Sequence, residues 1–469
     1  MIKYLRLSLI FLLLALAGCE TLTSLRQDFA DKVFGREPPN PPAELQEFKP
    51  TYTAKIDWSS SIGKTERYDF TPALDSSAVY ANNAAGEIIK LDVSNGHQVW
   101  RINVGEPISG GIGIGAGILM VGSKTGNVHA YDAAGKPLWK AKVSSEILSV
   151  PRYFDGMVIV RTGDNHIFGL DATDGSRKWV YERITPALSL RSSVGIIVDG
   201  GAVYAGFAGG KMVSIRADNG KLLWEATIAQ PKGVTEIERI ADITSLPVID
   251  GPVVYAVAYQ GRVAAVDRRS GKVVWNRDIS SYSGMAAEDG KLFVSHALGS
   301  VYSLDYETGK TFWRQAGLLN RRLSAPLPMG SVIALGDLEG YVHFLTREEG
   351  SFAARIKLDS NAVMSLIAGA SSNQLIAETR DGGLYAISIA ELSAAPASKE
   401  PVSKEPAKRS EPAPEAAKPD NSPQPSAPAT PDTERSIMFQ KDPILMPDAA
   451  PENTPSENSS GPGIRLPSN

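Results

Sequence analysis

Apolar and polar residues alternate in many short runs along the chain, and each run leads into a tight turn. The clearest runs are Gly86 to Asp92 (GEIIKLD), Gly261 to Asp267 (GRVAAVD) and Gly299 to Asp305 (GSVYSLD). A period of two buries one face of a β-strand. Each run ends in an aspartate, which can accept backbone N–H groups of the turn, and a glycine that tolerates positive φ closes that turn. The pattern therefore predicts units of strand, tight turn and second strand.

This unit recurs throughout the middle of the chain. The seven tryptophans all belong to it, and they are Trp58, Trp100, Trp139, Trp179, Trp224, Trp275 and Trp313. The eight copies begin at Gly86, Gly126, Asn165, Gly210, Gly261, Gly299, Gly340 and Gly382. Asparagine is the residue other than glycine that best tolerates a left-handed backbone, which suits position 165. Eight units of about 40 residues predict an all-β fold, an eight-bladed β-propeller of four-stranded antiparallel blades.

The two ends of the repeat array complement each other. Trp58 lies on a strand with no preceding glycine strand, and the copy that begins at Gly382 has no tryptophan strand after it. The N-terminal strand should therefore complete the last blade and close the ring. An open solenoid, the alternative, would need capping units instead. The seventh copy has Ala354 where tryptophan is expected, which predicts a looser contact between two blades.

The only cysteine of the chain, Cys19, follows a short basic and apolar stretch. Lys3 and Arg6 precede an apolar run over 7–16, which is too short to span a membrane comfortably. The sequence Leu-Ala-Gly-Cys that ends at Cys19 resembles the lipobox of bacterial lipoproteins, so we predict a lipid on this thiol. An ordinary signal peptide with an incidental cysteine is the alternative. In such lipoproteins an aspartate after the cysteine tends to retain the protein at the inner membrane, and Glu20 here favours the outer membrane.

Four regions follow from these patterns. We predict a lipoprotein signal peptide over 1–18, an acylated N-terminus and flexible tether over 19–47, the propeller over 48–391, and a disordered tail over 392–469. The tail holds 16 of the 31 prolines. Its apolar island at 436–446 is either a chance cluster, which we favour, or a binding segment.

Composition excludes several kinds of site. With 48 basic and 52 acidic residues, the chain lacks the basic excess of nucleic-acid binders. A single cysteine excludes an intramolecular disulfide and a cysteine-based zinc cluster, and the five histidines never fall at metal-ligand spacing. The aspartates at 92, 132, 171, 267 and 305 occupy the same turn position of successive units, so they cannot converge on one ion. We therefore predict no catalytic site, no metal and no cofactor.

Two known families share this repeat. The unit resembles that of quinone-dependent dehydrogenases, which hold pyrroloquinoline quinone and calcium, and many of which carry a pair of adjacent cysteines. This chain lacks that pair and has no CxxCH haem site. A closer resemblance, which covers the whole propeller, is to the BamB family, lipoproteins of the outer-membrane β-barrel assembly machinery. Its most specific stretches are 186–191 (PALSLR) and 235–242 (TEIERIAD), both outside the repeat consensus.

The resemblance to BamB implies a non-enzymatic outer-membrane scaffold that faces the periplasm. It implies binding to the periplasmic POTRA domains of BamA, and unfolded β-barrel outer-membrane proteins are further partners it suggests. Leu188, Leu190, Arg191 and Asp242 match the residues through which the family engages BamA. Thr244 stands where the family has a second aspartate, so that role is not carried over.

Three alternatives remain open at this point. Leu188 and Leu190 could belong to the core of a strand, with Arg191 a solvated charge. The protein could be a lipoprotein adaptor for an unrelated partner. It could also be a periplasmic dehydrogenase of the quinoprotein class.

Overall fold

The propeller strands and their connections are seen in a computed structural model that describes residues 40–184, 188–190 and 192–392. Over these residues the 32 strands pair into eight four-stranded sheets, the blades of a ring. Every pairing within a sheet is antiparallel. This confirms the predicted eight-bladed β-propeller. Cys19, Arg191 and the predicted tail beyond 392 lie outside the described residues, and within those residues no helix is long and apolar enough to cross a membrane.

The strand bounds follow the repeat. The first strand, β1, spans Tyr52–Ser61. Blade 1 holds β2 (Ala73–Leu74), β3 (Ala78–Asn82), β4 (Glu87–Asp92) and β5 (Gln98–Asn103); blade 2 holds β6 (Gly113–Gly115), β7 (Ile118–Gly122), β8 (Asn127–Asp132) and β9 (Pro137–Lys142). Blade 3 holds β10 (Arg152–Phe154), β11 (Met157–Arg161), β12 (Ile167–Asp171) and β13 (Arg177–Tyr181); blade 4 holds β14 (Ile196–Asp199), β15 (Ala202–Phe207), β16 (Lys211–Arg216) and β17 (Leu222–Thr227), with a 3-10 turn at Ala208–Gly210.

The second half of the ring repeats this arrangement. Blade 5 holds β18 (Val248–Asp250), β19 (Val253–Val257), β20 (Val263–Asp267) and β21 (Val273–Arg277); blade 6 holds β22 (Gly284–Glu288), β23 (Lys291–Ser295), β24 (Val301–Asp305) and β25 (Thr311–Gln315). Blade 7 holds β26 (Leu327–Met329), β27 (Val332–Gly336), β28 (Tyr341–Thr346) and β29 (Phe352–Lys357); blade 8 holds β30 (Val363–Ala368), β31 (Gln374–Thr379) and β32 (Gly383–Glu391).

The ring is closed by the N-terminal strand, as the sequence predicts. β1 pairs antiparallel with β32, and the order of blade 8 is β1, β32, β31, β30. The last blade is thus built from both ends of the propeller, and Trp58 lies opposite Ala386 in this pair.

In every blade except blade 7, the repeated tryptophan packs the outer strand against the next blade. The indole Nε1 of Trp58 donates to the carbonyl of Val93 at 2.9 Å. Gly96 closes the same turn with φ +71, and a Cβ there would lie 2.4 Å from the Trp58 ring. Asp92 begins the turn and accepts the N–H of Ser94 at 2.8 Å. The ring and the glycine recur at this contact from blade to blade, whereas the aspartate is replaced by Arg216 and Thr346 in the turns that bind Trp179 and Trp313.

The structure explains why Ala354 replaces tryptophan in blade 7. The third and fourth strands of blade 8 come from opposite ends of the propeller, so no turn joins them for a tryptophan to pack against. Instead, the N–H of Thr51 donates to the carbonyl of Ala353 at 3.0 Å. The ring of Phe48 stacks on Phe352 with centroids 5.5 Å apart. The N-terminal segment covers the place that the missing turn would occupy.

Residues 40–47, which the sequence assigns to the flexible tether, contact blades 6 and 7. The N–H of Ala43 donates to the carbonyl of Leu319 at 2.9 Å, and the Arg321 guanidinium donates to the Ala43 carbonyl at 2.7 Å. Arg321 is itself buried and paired with buried Asp337 at 2.7 Å. The C-terminal end of the predicted tether is therefore held on the propeller, because a buried cation binds its backbone.

A candidate protein-interaction site on two long loops

The two longest separations between successive tryptophans, Trp179 to Trp224 and Trp224 to Trp275, arise from two long connections that join blades 3, 4 and 5. One runs over 182–195 between β13 and β14, and the other over 228–247 between β17 and β18. Both link the outer strand of one blade to the inner strand of the next. In an alternating antiparallel blade, such connections all lie on the same face of the ring. The extra length of these two units is thus placed on one face.

Hydrogen bonds bring the two loops together. The N–H of Leu190 donates to Asp242 Oδ2 at 2.7 Å, and the Ser192 hydroxyl donates to the carbonyl of Thr244 at 3.3 Å. Asp242 Oδ1 accepts the N–H of Gly209, in the 3-10 turn of blade 4, at 3.0 Å. The structure therefore places Leu190 and Asp242 side by side, although they belong to connections of different blades.

The position of Asp242 differs from the expectation that its carboxylate faces a partner. The side chain is buried, with 4% of its surface exposed. Both oxygens accept backbone N–H groups, because the loop over 182–195 and the turn of blade 4 each direct a donor at it. A carboxylate held in this way fixes the conformation of the loops, and Leu190 is the residue that it positions.

Leu188 and Leu190 lie on the surface of this site. Their exposed fractions are 45% and 38%, and neither belongs to a strand. The alternative that they form part of a strand core is therefore wrong. Burying a leucine is favourable by about 1.5 to 3 kcal/mol, so two exposed leucines on one short segment offer a partner substantial binding energy. Arg191 lies outside the described residues.

Sequence reasoning missed two further exposed residues of the same site. Val234 and Ile237 lie on the second loop with 95% and 68% of their surfaces exposed. They fall within or next to the stretch 235–242, which carries the family resemblance. Their signal in the sequence is the presence of large apolar residues in a connection outside the alternating pattern.

A small cavity of about 250 Å³ lies beneath the first loop, and Leu190, Asp242 and Arg161 are among its lining residues. Arg161 donates to the carbonyl of Gly206 at 2.6 Å and to Asn165 Oδ1 at 2.9 Å. Burial lowers the pKa of Arg161 to about 10, so the guanidinium stays charged at neutral pH. The cation thus links blades 3 and 4 under the loop that carries the two leucines.

The described residues bring together no group of three or more histidines, cysteines, aspartates or glutamates able to hold a metal ion. The repeated aspartates accept N–H groups of their own turns; Asp171, for example, accepts that of Thr173 at 2.8 Å. Hydrogen bonds from the hydroxyl and then from the N–H of Thr173 hold the pKa of the Asp171 carboxyl well below its ordinary value. The arrangement on the two loops is suited to binding a protein through apolar side chains.

Comparison with known proteins identifies the family. The family model described as "Outer membrane protein assembly factor BamB" matches residues 84–315. A relative of that name from Burkholderia pseudomallei (strain K96243) is 39% identical over 347 residues, which cover 73% of this chain and 90% of the relative. The chain belongs to the BamB family. The crystal structure of BamB from Moraxella catarrhalis is 25% identical, has a TM-score of 0.66, and is matched over 72% of this chain and 100% of that chain.

The dehydrogenase propellers share the fold alone. The quinohemoprotein alcohol dehydrogenase from Comamonas testosteroni has a TM-score of 0.59 at 14% identity, over 71% of this chain and 76% of that chain. Membership of the BamB family, whose relatives are named as assembly factors, assigns the chain to non-enzymatic proteins. The quinoprotein alternative is accordingly the less supported one.

Proposed function

We propose that this protein is a scaffold of the machinery that assembles β-barrel proteins in the outer membrane, and that it binds the periplasmic POTRA domains of BamA. Relatives named as outer membrane protein assembly factors support the first part. The observation that carries the second part is the pair of exposed leucines, Leu188 and Leu190, on a loop fixed by buried Asp242. Arg191, next to this pair, is a further proposed contact.

The loop suits a protein interface for a physical reason. Apolar side chains gain free energy when a partner buries them, and arginine is enriched among the residues that dominate binding energy at interfaces. Association costs conformational entropy wherever a loop must become ordered. The hydrogen bonds from Leu190 and Ser192 to the neighbouring loop reduce that cost, because they hold the backbone before the partner arrives.

Replacing both leucines tests the proposed contact. Leu188→Ser with Leu190→Ser should weaken binding to the purified POTRA region of BamA by at least about tenfold, since two apolar anchors are lost. Leu138→Ser is the matched control, because Leu138 on β9 of blade 2 is 48% exposed and lies away from both loops. Calorimetric titration of the full mature chain measures both variants. Equal affinity of the double variant and the wild type would contradict the proposed contact.

We also propose that Cys19 carries the lipid that holds the protein at the outer membrane, facing the periplasm. From Cys19 to residue 40, where the described chain begins, the backbone can span at most about 70 Å. Residues 41–43 then contact the connection between blades 6 and 7, which lies on the same face of the ring as the two long loops. The described chain thus begins on the same face as the proposed partner-binding loops.

Removing the thiol tests the anchor. Cys19→Ser should stop labelling with radioactive palmitate and move the protein from the membrane fraction to the soluble periplasmic fraction, because one thiol is the only lipid acceptor in the chain. Fractionation by ultracentrifugation, with wild type as control, measures the change. Membrane residence of the unlabelled variant would contradict the lipid anchor.

Binding of unfolded β-barrel substrates remains a prediction of the family resemblance. The outer strands of the blades support it, because apolar side chains on several of them are exposed. They include Val99, Leu223, Val274 and Phe312. The strands that carry them are five or six residues long and offer only short edges for pairing.

A further inference from the structure

Residues 232–240, which we call the hook, form a turn in the second loop that internal hydrogen bonds hold in one conformation. Glu238 accepts the N–H groups of Val234 at 2.9 Å and Thr235 at 3.1 Å through Oε2. The Thr235 hydroxyl oxygen in return accepts the N–H of Glu238 at 3.3 Å. This reciprocal pair is the arrangement of a capping box, which fixes the start of a helical turn.

The rest of the hook is held equally firmly. The N–H of Arg239 donates to the carbonyl of Thr235 at 3.1 Å, and that of Ile240 to Ile237 at 3.3 Å. Gln260 lies against the other end of the turn. With its amide nitrogen facing the hook, that nitrogen lies 3.1 to 3.3 Å from the carbonyl oxygens of Ile237, Glu238 and Ile240, which share its two N–H donors.

This framework displays two apolar side chains instead of burying them. Val234 and Ile237, three residues apart in the turn, are the two most exposed large apolar residues of this loop. Exposed apolar residues scattered singly are ordinary on protein surfaces. Val234 and Ile237 differ, because five hydrogen bonds donated by backbone N–H groups, together with Gln260, hold their turn in place. The two side chains therefore form an ordered pair of anchors.

We propose that the hook is a second anchor for the folded partner domain that binds Leu188 and Leu190, inserted into an apolar groove of that domain. This proposal rests on the proposed function. The hook continues directly into Asp242, whose carboxylate accepts the N–H of Leu190, so the hook and the two leucines belong to one bonded surface. A folded groove fits because five N–H groups of the hook are already used within the turn and cannot pair with an extended substrate strand. They are those of Val234, Thr235, Glu238, Arg239 and Ile240.

The test compares the full mature chain with Val234→Ser combined with Ile237→Ser. Both changes leave Thr235 and Glu238 in place, and thermal unfolding checks that the variant folds like the wild type. Affinity for the purified POTRA region of BamA should fall by at least about tenfold, with Leu138→Ser as the unaffected control. Wild-type affinity in the double variant would overturn the hook proposal while leaving the proposed function intact. No binding by the wild type would instead overturn the proposed function.

A second pair of variants tests whether the hydrogen bonds of Glu238 prepare the hook for binding. Glu238→Ala keeps both apolar side chains but removes the acceptor of two N–H groups, so it should slow association several-fold in surface plasmon resonance. Glu238→Gln retains a carbonyl oxygen and should recover part of that rate. The same variants are also tested for capture of a urea-denatured outer-membrane β-barrel protein. If the wild type captures this protein, and Val234→Ser with Ile237→Ser loses the capture but keeps POTRA binding, the occupant of the hook is an unfolded chain. That result would overturn the proposal.

Discussion

Asp242→Ala is expected to weaken BamA binding by at least about tenfold and to destabilise the propeller by about 2 to 4 kcal/mol. The carboxylate accepts the N–H groups of Leu190 and Gly209, and the residue is 4% exposed. Each buried donor that loses its acceptor costs about 1 to 3 kcal/mol. Releasing Leu190 also removes the fixed position of one apolar anchor. Titration with the POTRA region and urea unfolding measure the two effects.

Asp242→Asn separates positioning from a direct charge contact. Asparagine keeps one carbonyl oxygen, so one of the two N–H groups retains an acceptor and both losses should be smaller than with alanine. A direct contact between the Asp242 charge and a basic partner group predicts a different result for Asp242→Asn. Asparagine would then weaken binding as much as alanine does, with little change in the free energy of unfolding, and the positioning role would be wrong.

Glu378→Gln is expected to stabilise the protein at alkaline pH and to flatten its pH dependence. Glu378 lies on β31, is 1% exposed, and neither of its carboxylate oxygens has a hydrogen-bond partner among the described residues. Burial, with a smaller contribution from the charge of Asp69, raises the pKa of the Glu378 carboxyl to about 8. Its ordinary value is 4.5. The folded protein therefore holds a proton that the unfolded chain releases.

The raised pKa of Glu378 in the folded state determines how the free energy of unfolding changes with pH. Between pH 4.5 and about 8 the folded state binds the extra proton, so the free energy of unfolding falls as the pH rises. The full difference amounts to roughly 5 kcal/mol, and Glu378→Gln should restore most of it at pH 8 while changing little at pH 4.5. Glu349→Gln, at an exposed position, is the control and should leave the slope in place. An unchanged slope in Glu378→Gln would assign the pH dependence to other groups.

The parts of the fold that the sequence predicts are those with local physical causes. The contact of Trp58 with Gly96 needs a large ring and a residue without a Cβ, and this pair of residue types marks seven of the eight contacts between blades in the sequence. The two ends of the array predict ring closure because each end holds part of one blade. The site is different, because its key contacts join residues about 50 positions apart. Nothing in the sequence around Asp242 shows that its oxygens are taken by the N–H groups of Leu190 and Gly209.

Two other features could not be predicted because they depend on an exception to the pattern. Ala354 breaks the repeat where the turn of blade 8 is missing, and only the pairing of β1 with β32 explains it. Residues 40–47 look like a linker by composition, yet the buried guanidinium of Arg321 binds the carbonyl of Ala43. The polar, proline-rich composition of this segment predicts a solvated linker, but it does not show that a buried guanidinium binds the backbone of the segment.

The most direct test of the proposed interface is photo-crosslinking in intact cells. A photoreactive amino acid placed at position 190 should form an adduct with BamA, and the same residue at position 138, on a blade away from the two loops, should not. Immunoblotting of the outer-membrane fraction for BamA measures both. An adduct at 190 alone is the predicted result. No adduct at 190, or equal adducts at 190 and 138, would contradict the account.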